Sequence, residues 1–136
     1  MSGEFNNAGI PKDGVSLGTI DLSADGQCTE VPNCHLLDRV WFDVTYTDAD
    51  SPVGTFTVES SIDGSNWDDV ELTSDMIHGL AGDATLASDG GIDIDGTAAG
   101  SFRIAVKDTP NHLRIAFEDT GAAGSGDTAT VHCWGK

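Results

Sequence analysis

Histidine and cysteine have the widest chemical repertoire of the side chains in this sequence. The four histidines are dispersed along the chain. The sequence contains no GxSxG, HExxH, Gly-rich phosphate loop or CxxC pair that would bring a nucleophile, a base or metal ligands together. Without such a motif, nothing in the sequence supports a catalytic constellation. The sequence therefore predicts a protein that is not an enzyme.

Two adjacent Cys and His pairs have the residue types of a zinc site. They are Cys34-His35 and His132-Cys133, and tetrahedral zinc takes both kinds of ligand. Neighbouring residues of a strand point to opposite faces of the sheet, so a strand could offer only one member of each pair to a shared ion. Cys133 also continues the apolar alternation of the last strand, which favours a small buried side chain. We therefore expect no zinc here.

Closely spaced aspartates are better candidates, because carboxylate oxygens suit a hard cation such as calcium. They occur as Asp93 and Asp95, and again as Asp48 and Asp50. Neither pair continues to the bidentate glutamate that closes an EF-hand loop. Solvated turn aspartates are the competing interpretation in a chain this rich in aspartate. The sequence predicts at most a loosely bound calcium ion and no other cofactor.

Charge limits the partners. The 136 residues carry 23 Asp and Glu against 6 Lys and Arg, a formal charge of −17. A phosphate backbone or an anionic lipid surface would repel such a chain. Nucleic acid and membrane are therefore not expected as partners. The sequence also lacks an apolar stretch of ~18 residues and a basic, apolar leader, so we expect synthesis in the cytoplasm without export.

Chain length predicts one domain, with a polar N-terminal arm at residues 1–14 and the folded domain at 15–136. The arm offers little apolar surface, so we expect it to be ordered by another chain rather than by its own domain, and to anchor the domain on that chain. Three cysteines cannot all pair within one chain. Whether Cys28 and Cys34 are bridged is left open.

From Val15 onward, apolar and polar residues alternate with a period of two, which is typical of strands buried on one face. Seven to nine such strands predict an all-β fold, an antiparallel two-sheet β-sandwich of jelly-roll or Ig-like type. The strands at 40–46 and 56–62, the latter ending on an inward Ile62, are expected to be neighbours. Residues 73–100 are expected to be a long loop with one helical turn and a short strand at 92–95. The predicted inward residues are Val40, Phe42, Val44, Phe56, Val58, Val70, Phe102, Ile104, Ile115, Phe117 and Val131.

Two tryptophans, Trp41 and Trp134, lie on the outward phase of their strands. Outward aromatic side chains serve as interface anchors or as platforms on which sugars stack. Few cations are available to pair with acidic groups of a partner, and they include Arg39, Arg103, Lys107 and Arg114. Adding the apolar side chains of the arm, the predicted interface residues are Phe5, Ile10, Pro11, Trp41, Trp134, Arg39 and Arg103.

The segment GTFTVESSIDGSNW at 54–67 resembles the small β-sandwich structural proteins of bacteriophage virions. In that family a strand of this form is followed by a variable segment, an Arg-containing strand, a glycine-rich hairpin and a terminal strand closing in Gly-Lys. Here HLRIAF at 112–117, the glycine-rich 121–126 and the end at Gly135-Lys136 match in the same order, over roughly residues 36–136. The resemblance implies a capsid decoration or spike subunit, or next a tail-associated subunit.

As the resemblance implies, the location would be the virion and the partners would be other virion proteins such as the major capsid protein. A homo-oligomer is a further candidate. The SxDGxNW segment alone is also similar to discoidin-like carbohydrate-binding modules of bacterial surface or secreted proteins. That family is the alternative, although this chain lacks the strand aromatics and flanking cysteines expected of it.

Overall fold

The computed structural model describes residues 6, 8–11, 13–107, 111–121 and 125–136. Within these ranges two antiparallel sheets pack against each other, which confirms the predicted all-β two-sheet sandwich. The same ranges contain two short 3-10 turns, at Cys34–Leu36 and Ser74–Met76, and no α-helix. No helix of the described chain has the length and apolar character needed to span a bilayer.

The described ranges hold eleven strands, more than the seven to nine predicted. Their bounds are β1 Val15–Asp21, β2 Gly26–Gln27, β3 Arg39–Tyr46, β4 Val53–Ser61, β5 Asp68–Val70, β6 Ile77–Ala81, β7 Thr85–Leu86, β8 Ile92–Asp95, β9 Gly100–Lys107, β10 His112–Asp119 and β11 Thr128–Gly135. One sheet has five strands in the order β1-β11-β3-β9-β6. The other has the order β2-β10-β4-β8-β7, with β5 paired to β4. Every pair is antiparallel.

Two of the additional strands, β6 and β7, lie in the segment at 73–100 that was predicted to be mostly loop. The helical turn and the strand β8 predicted there are confirmed. β6 pairs with β9 at the edge of the five-stranded sheet, yet four of its five residues are exposed. A strand held at an edge by backbone hydrogen bonds needs no apolar alternation, so periodicity does not reveal it.

The core lies between the two sheets and contains the predicted inward side chains. All are buried except Val70, which is half-buried and packs against the core. Phe56 of β4 is at the centre of an aromatic cluster. Its ring centroid lies 4.8 Å from that of Phe117 in its own sheet, and 5.2 Å from Phe102 and 5.9 Å from Tyr46 in the other. The two sheets are thus joined by aromatic packing across the sandwich.

The prediction that β3 and β4 are neighbours is wrong. β3 lies between β11 and β9, whereas β4 belongs to the other sheet. The connection is held by Asp127, whose fully buried carboxylate accepts hydrogen bonds from the Thr47 hydroxyl (2.8 Å) and from the backbone N–H groups of Ala49 (2.7 Å) and Asp50 (2.8 Å). The conformation of this loop therefore depends on Asp127, which is distant in the sequence. The loop sequence alone does not show whether the chain forms a hairpin within one sheet or crosses to the other sheet.

The inward position predicted for Ile62 is also wrong, since 76% of its surface is exposed. The strand ends one residue earlier, at Ser61, whose buried hydroxyl accepts a hydrogen bond from the N–H of Gly64 (2.8 Å). Asp63 accepts hydrogen bonds from the N–H groups of the next turn residues, and Gly64 has the positive φ of 78° expected of the predicted Asp-Gly turn. The turn thus begins before the alternation would place Ile62 inside.

The described part of the N-terminal arm packs on its own chain. Ile10 is 5% exposed and Ala8 9% exposed, and both belong to the core. The Asn6 side chain donates to the carbonyl of Gly135 (3.1 Å) and accepts from the N–H groups of Ala8 and Ile10. The prediction that the arm is too polar to dock on its own domain is wrong for these residues. The Asn6 side chain accepts hydrogen bonds from the backbone N–H groups of the turn, and Ile10 supplies the apolar contact with the core.

Candidate interaction surface

Asp93 and Asp95, considered for calcium, occupy exposed positions on the same face of β8. The Asp93 carboxylate accepts a hydrogen bond from the Thr55 hydroxyl (2.7 Å), and that of Asp95 accepts one from the Thr97 hydroxyl (2.5 Å). The first contact joins the neighbouring strands β4 and β8, and the second stabilises the turn that follows β8. Both carboxylates therefore have structural partners within the fold.

Asp48 and Asp50 lie in the loop between β3 and β4. Asp48 accepts a hydrogen bond from the N–H of Ser51 (3.0 Å), and Asp50 donates its own N–H to Asp127. Over the described ranges, no group of three or more His, Cys, Asp or Glu side chains is arranged to hold a metal ion. The two aspartate pairs are therefore not joined into one cation site there.

The Cys and His pairs considered for zinc divide between the interior and the surface. Cys34 is fully buried while His35 is exposed, and Cys133 is fully buried while His132 is half-buried. The interior position predicted for Cys133 is confirmed. The members of each pair thus face different environments.

The cysteines are thiols in the core. The Cys28 sulfur donates a hydrogen bond to the Thr29 carbonyl and that of Cys34 to the Val31 carbonyl, both at 3.2 Å, and no disulfide joins them. Burial raises the pKa of Cys28 to about 11 and those of Cys34 and Cys133 to about 12. Because the nucleophile is the thiolate, such thiols are poor nucleophiles near neutral pH.

The two outward tryptophans form one cluster on the outer face of the five-stranded sheet. Trp41 of β3 and Trp134 of β11 are directly opposite in the register. Their ring centroids are 6.0 Å apart, and the ring planes differ by 10°. Both side chains are half-buried. Cross-strand aromatic pairs of this kind stabilise a sheet and also present a rigid apolar surface.

Cationic groups lie near both rings of this stacked pair. The Arg103 guanidinium lies 4.8 Å from the Trp134 ring centroid, while Arg39 and the Lys136 ammonium lie 5.4 and 5.7 Å from that of Trp41. All three distances are within the range of cation–π attraction. The three cationic groups thus lie close to the aromatic rings while Arg103 and Lys136 remain exposed to solvent.

Arg103 has a second partner. Its Nε and Nη2 atoms donate to the two carboxylate oxygens of Asp43 at 2.6 and 2.9 Å, a bidentate pair between directly opposite residues of β9 and β3. This pair raises the pKa of Arg103. Lys107 lies opposite Arg39 at the other end of the same two strands.

We call this surface the Trp41/Trp134 face and define it as Arg39, Trp41, Asp43, Arg103, Lys107, Trp134 and Lys136. It contains four of the six Lys and Arg residues of the chain and one carboxylate, for a net charge of +3. The remaining residues therefore carry a formal charge of −20. These residues form a cationic aromatic face on an acidic body, and Asp75 borders this face beside Arg39 and Lys107.

Three shallow hollows open along this side of the sheet. One, of about 450 Å³, is lined by Trp41, Trp134, Lys136 and Asn6 of the arm. Two more, of about 350 and 270 Å³, follow the groove between β9 and the edge strand β6 and share His78. This side of the five-stranded sheet is therefore uneven and accessible to a partner. None of these three hollows is a deep, enclosed cavity.

The outer face of the six-stranded sheet differs in charge. Arg114, another of the few cations, is held by Glu59 (2.7 Å) and stacks on the Trp67 ring at 4.0 Å. A hollow beside this pair is lined by four acidic side chains, those of Asp25, Glu59, Asp69 and Glu118. The two outer faces are thus opposite in electrostatic character.

The structure brings together four of the seven predicted interface residues: Arg39, Trp41, Arg103 and Trp134. Ile10 is instead buried in its own core, Pro11 is half-buried, and Phe5 lies outside the described residues. Sequence reasoning missed Asp43 and Lys136 as members of this surface. The alternation of the strands could have revealed both, because Asp43 is two residues from Trp41 and Lys136 is two residues from Trp134, which places each pair on one face.

Comparison with known proteins gives no assignment. The chain matches no protein-family model, and no curated protein is significantly similar to it in sequence.

Proposed function

We propose that the protein is a non-enzymatic structural subunit of a bacteriophage virion. The first placement is a capsid decoration or spike subunit bound to the particle surface, and a tail-associated subunit is the next. The observation that carries the proposal is the Trp41/Trp134 face. A rigid aromatic pair flanked by preordered cations is the composition of a protein–protein contact, where Trp and Arg are the common anchors.

The order of elements supports the same proposal. The segment that resembles phage structural proteins covers β4 and the Asp63 turn and ends just before β5, and the later matching segments correspond to β10 and β11. Partners of this subunit would be other virion proteins such as the major capsid protein, and its location would be the virion. Nucleic acid and membrane are not proposed as partners, because the body of the chain is strongly acidic.

Mass spectrometry of purified particles tests the proposal. If particles of the phage that encodes this chain contain it at a copy number comparable with other structural subunits, the proposal is supported. Particles prepared with the Trp41→Ala/Trp134→Ala variant should then carry fewer copies, provided that the purified variant is folded. Virions free of the chain would refute the proposal.

The alternative is a discoidin-like carbohydrate-binding module of a bacterial surface or secreted protein. It is favoured by two half-exposed tryptophans side by side on a sheet face. The cations over the rings count against it, because a sugar that stacks on an aromatic ring needs an open ring face. Retention on a glycan array that is lost in Trp41→Ala would favour this alternative.

A further inference from the structure

We propose that the Trp41/Trp134 face docks on the acidic body of a second copy of this chain, in a head-to-tail contact. The inference rests on the proposed function in treating this face as an assembly surface, and it adds the identity of the partner.

Charge determines the kind of partner. The face carries +3 and the remainder of the chain −20, so the face attracts an acidic surface and the remainder repels one. A second copy supplies such a surface by its own composition. Acidic side chains also line the hollow on the outer side of its six-stranded sheet. The half-buried tryptophans add apolar area that a contact would remove from water.

Symmetry then limits the geometry. In a two-fold contact the same patch of both copies meets, so the four cations of one face would lie against the four of the other. Like charges so placed disfavour that arrangement. The contact is therefore heterologous, with one copy contributing the face and the next contributing an acidic surface. Because every copy has both surfaces, repetition gives a closed ring or an open array.

Three of the four cations of the face already have partners within the chain before any contact forms. Arg103 is fixed by Asp43 and by the Trp134 ring, and Arg39 and Lys136 lie over Trp41. A side chain that is already held loses less rotamer freedom when it meets a partner. Such order makes the face a better docking surface than free surface lysines would be.

Salt dependence is the first test, by sedimentation velocity of the full chain over a wide range of protein concentration. The Debye length is about 30 Å at 0.01 M, about 8 Å at 0.15 M and about 3 Å at 1 M salt. At low salt the net charges of two copies repel over long distances, and at high salt the local attraction is screened as well. We expect association to be strongest near 0.15 M. A chain that is monomeric under all these conditions would overturn the inference.

Two variants with the same net charge provide the second test. Arg39→Gln/Lys136→Gln removes two charges from the face, and Ser65→Glu/Ser88→Glu adds two acids at exposed turn positions outside both the face and the acidic hollow. We expect the first variant to lose association and the second to keep it. Thermal unfolding of both variants verifies that they are folded. Equal association of the two would overturn the inference, because net charge alone would then explain the behaviour.

Mixing tests the head-to-tail geometry. The Arg39→Gln/Lys136→Gln variant has lost the donating face but keeps the accepting surface, so adding it to the wild-type chain should shorten or open the assemblies. Unchanged wild-type assemblies would overturn the geometry. Virion content is measured separately. If the chain is present in virions but monomeric in solution, the proposed function is supported and this inference is refuted. If the chain self-assembles but is absent from virions, this inference is supported and the proposed function is refuted.

Discussion

Removing the buried carboxylate of Asp127 should destabilise the fold more than removing an exposed side chain of the loop that it holds. This side chain is fully buried and accepts three hydrogen bonds from the connection between the two sheets. Hydrogen bonds to a charged group contribute roughly 1.5–3 kcal/mol each, but water can reach the exposed Ala49 and Asp50 in a variant. We therefore expect Asp127→Ala to cost about 2–4 kcal/mol of unfolding free energy.

Asp127→Asn separates charge from volume. The amide keeps one acceptor oxygen but turns an NH2 group toward a donor, so a loss of about 1–3 kcal/mol is expected near pH 7. Burial raises the pKa of Asp127, but the hydrogen bonds from Ala49, Asp50 and Thr47 outweigh it and leave the pKa below its ordinary value of 3.8. The stabilisation is therefore complete above about pH 4 and is lost as the pH falls through the lowered folded-state pKa.

Urea unfolding followed by tryptophan fluorescence, at pH 7 and at several values below pH 4, measures both effects. The difference between wild type and Asp127→Asn should shrink as the pH falls, because the wild-type carboxyl then becomes protonated as well. A variant within about 0.5 kcal/mol of wild type at neutral pH would contradict the argument, since that is the usual range of neutral surface substitutions. A difference that grows toward low pH would contradict it too.

Three further outcomes are expected. Phe56→Ala should cost about 3–5 kcal/mol in chemical denaturation, whereas Ile62→Ala, at an exposed position, should stay within about 0.5 kcal/mol; similar losses would contradict the assignment of the core. Cys28 and Cys133 should resist a thiol reagent at pH 8 until the protein is unfolded, because burial raises their pKa values, and rapid labelling of the native protein would show that they are accessible. Deletion of residues 2–14 should leave a folded domain that melts at a lower temperature, because the buried contacts of Ala8 and Ile10 are lost, and an unchanged melting temperature would contradict that contribution.

Local alternation in the sequence predicts much of the fold because it reports which face of a strand meets the core. It predicts the buried residues of β3, β9, β10 and β11, including Cys133, and it places Trp41 and Trp134 outside. The prediction fails where burial does not follow a period of two along the chain. Ser61 and the following turn reverse the phase before Ile62, and β6 pairs through its backbone with no apolar pattern.

The sequence by itself determines the sandwich class, the acidic charge and the outward phase of the two tryptophans, because each depends on composition or on neighbours along the chain. The tertiary structure decides what distant residues do together. Register between β3 and β11 stacks the two rings, and Arg103 reaches both Asp43 and Trp134 only because β9 lies beside β3. Pairing across strands is a non-local choice, and a period of two does not specify which strand comes next in the sheet.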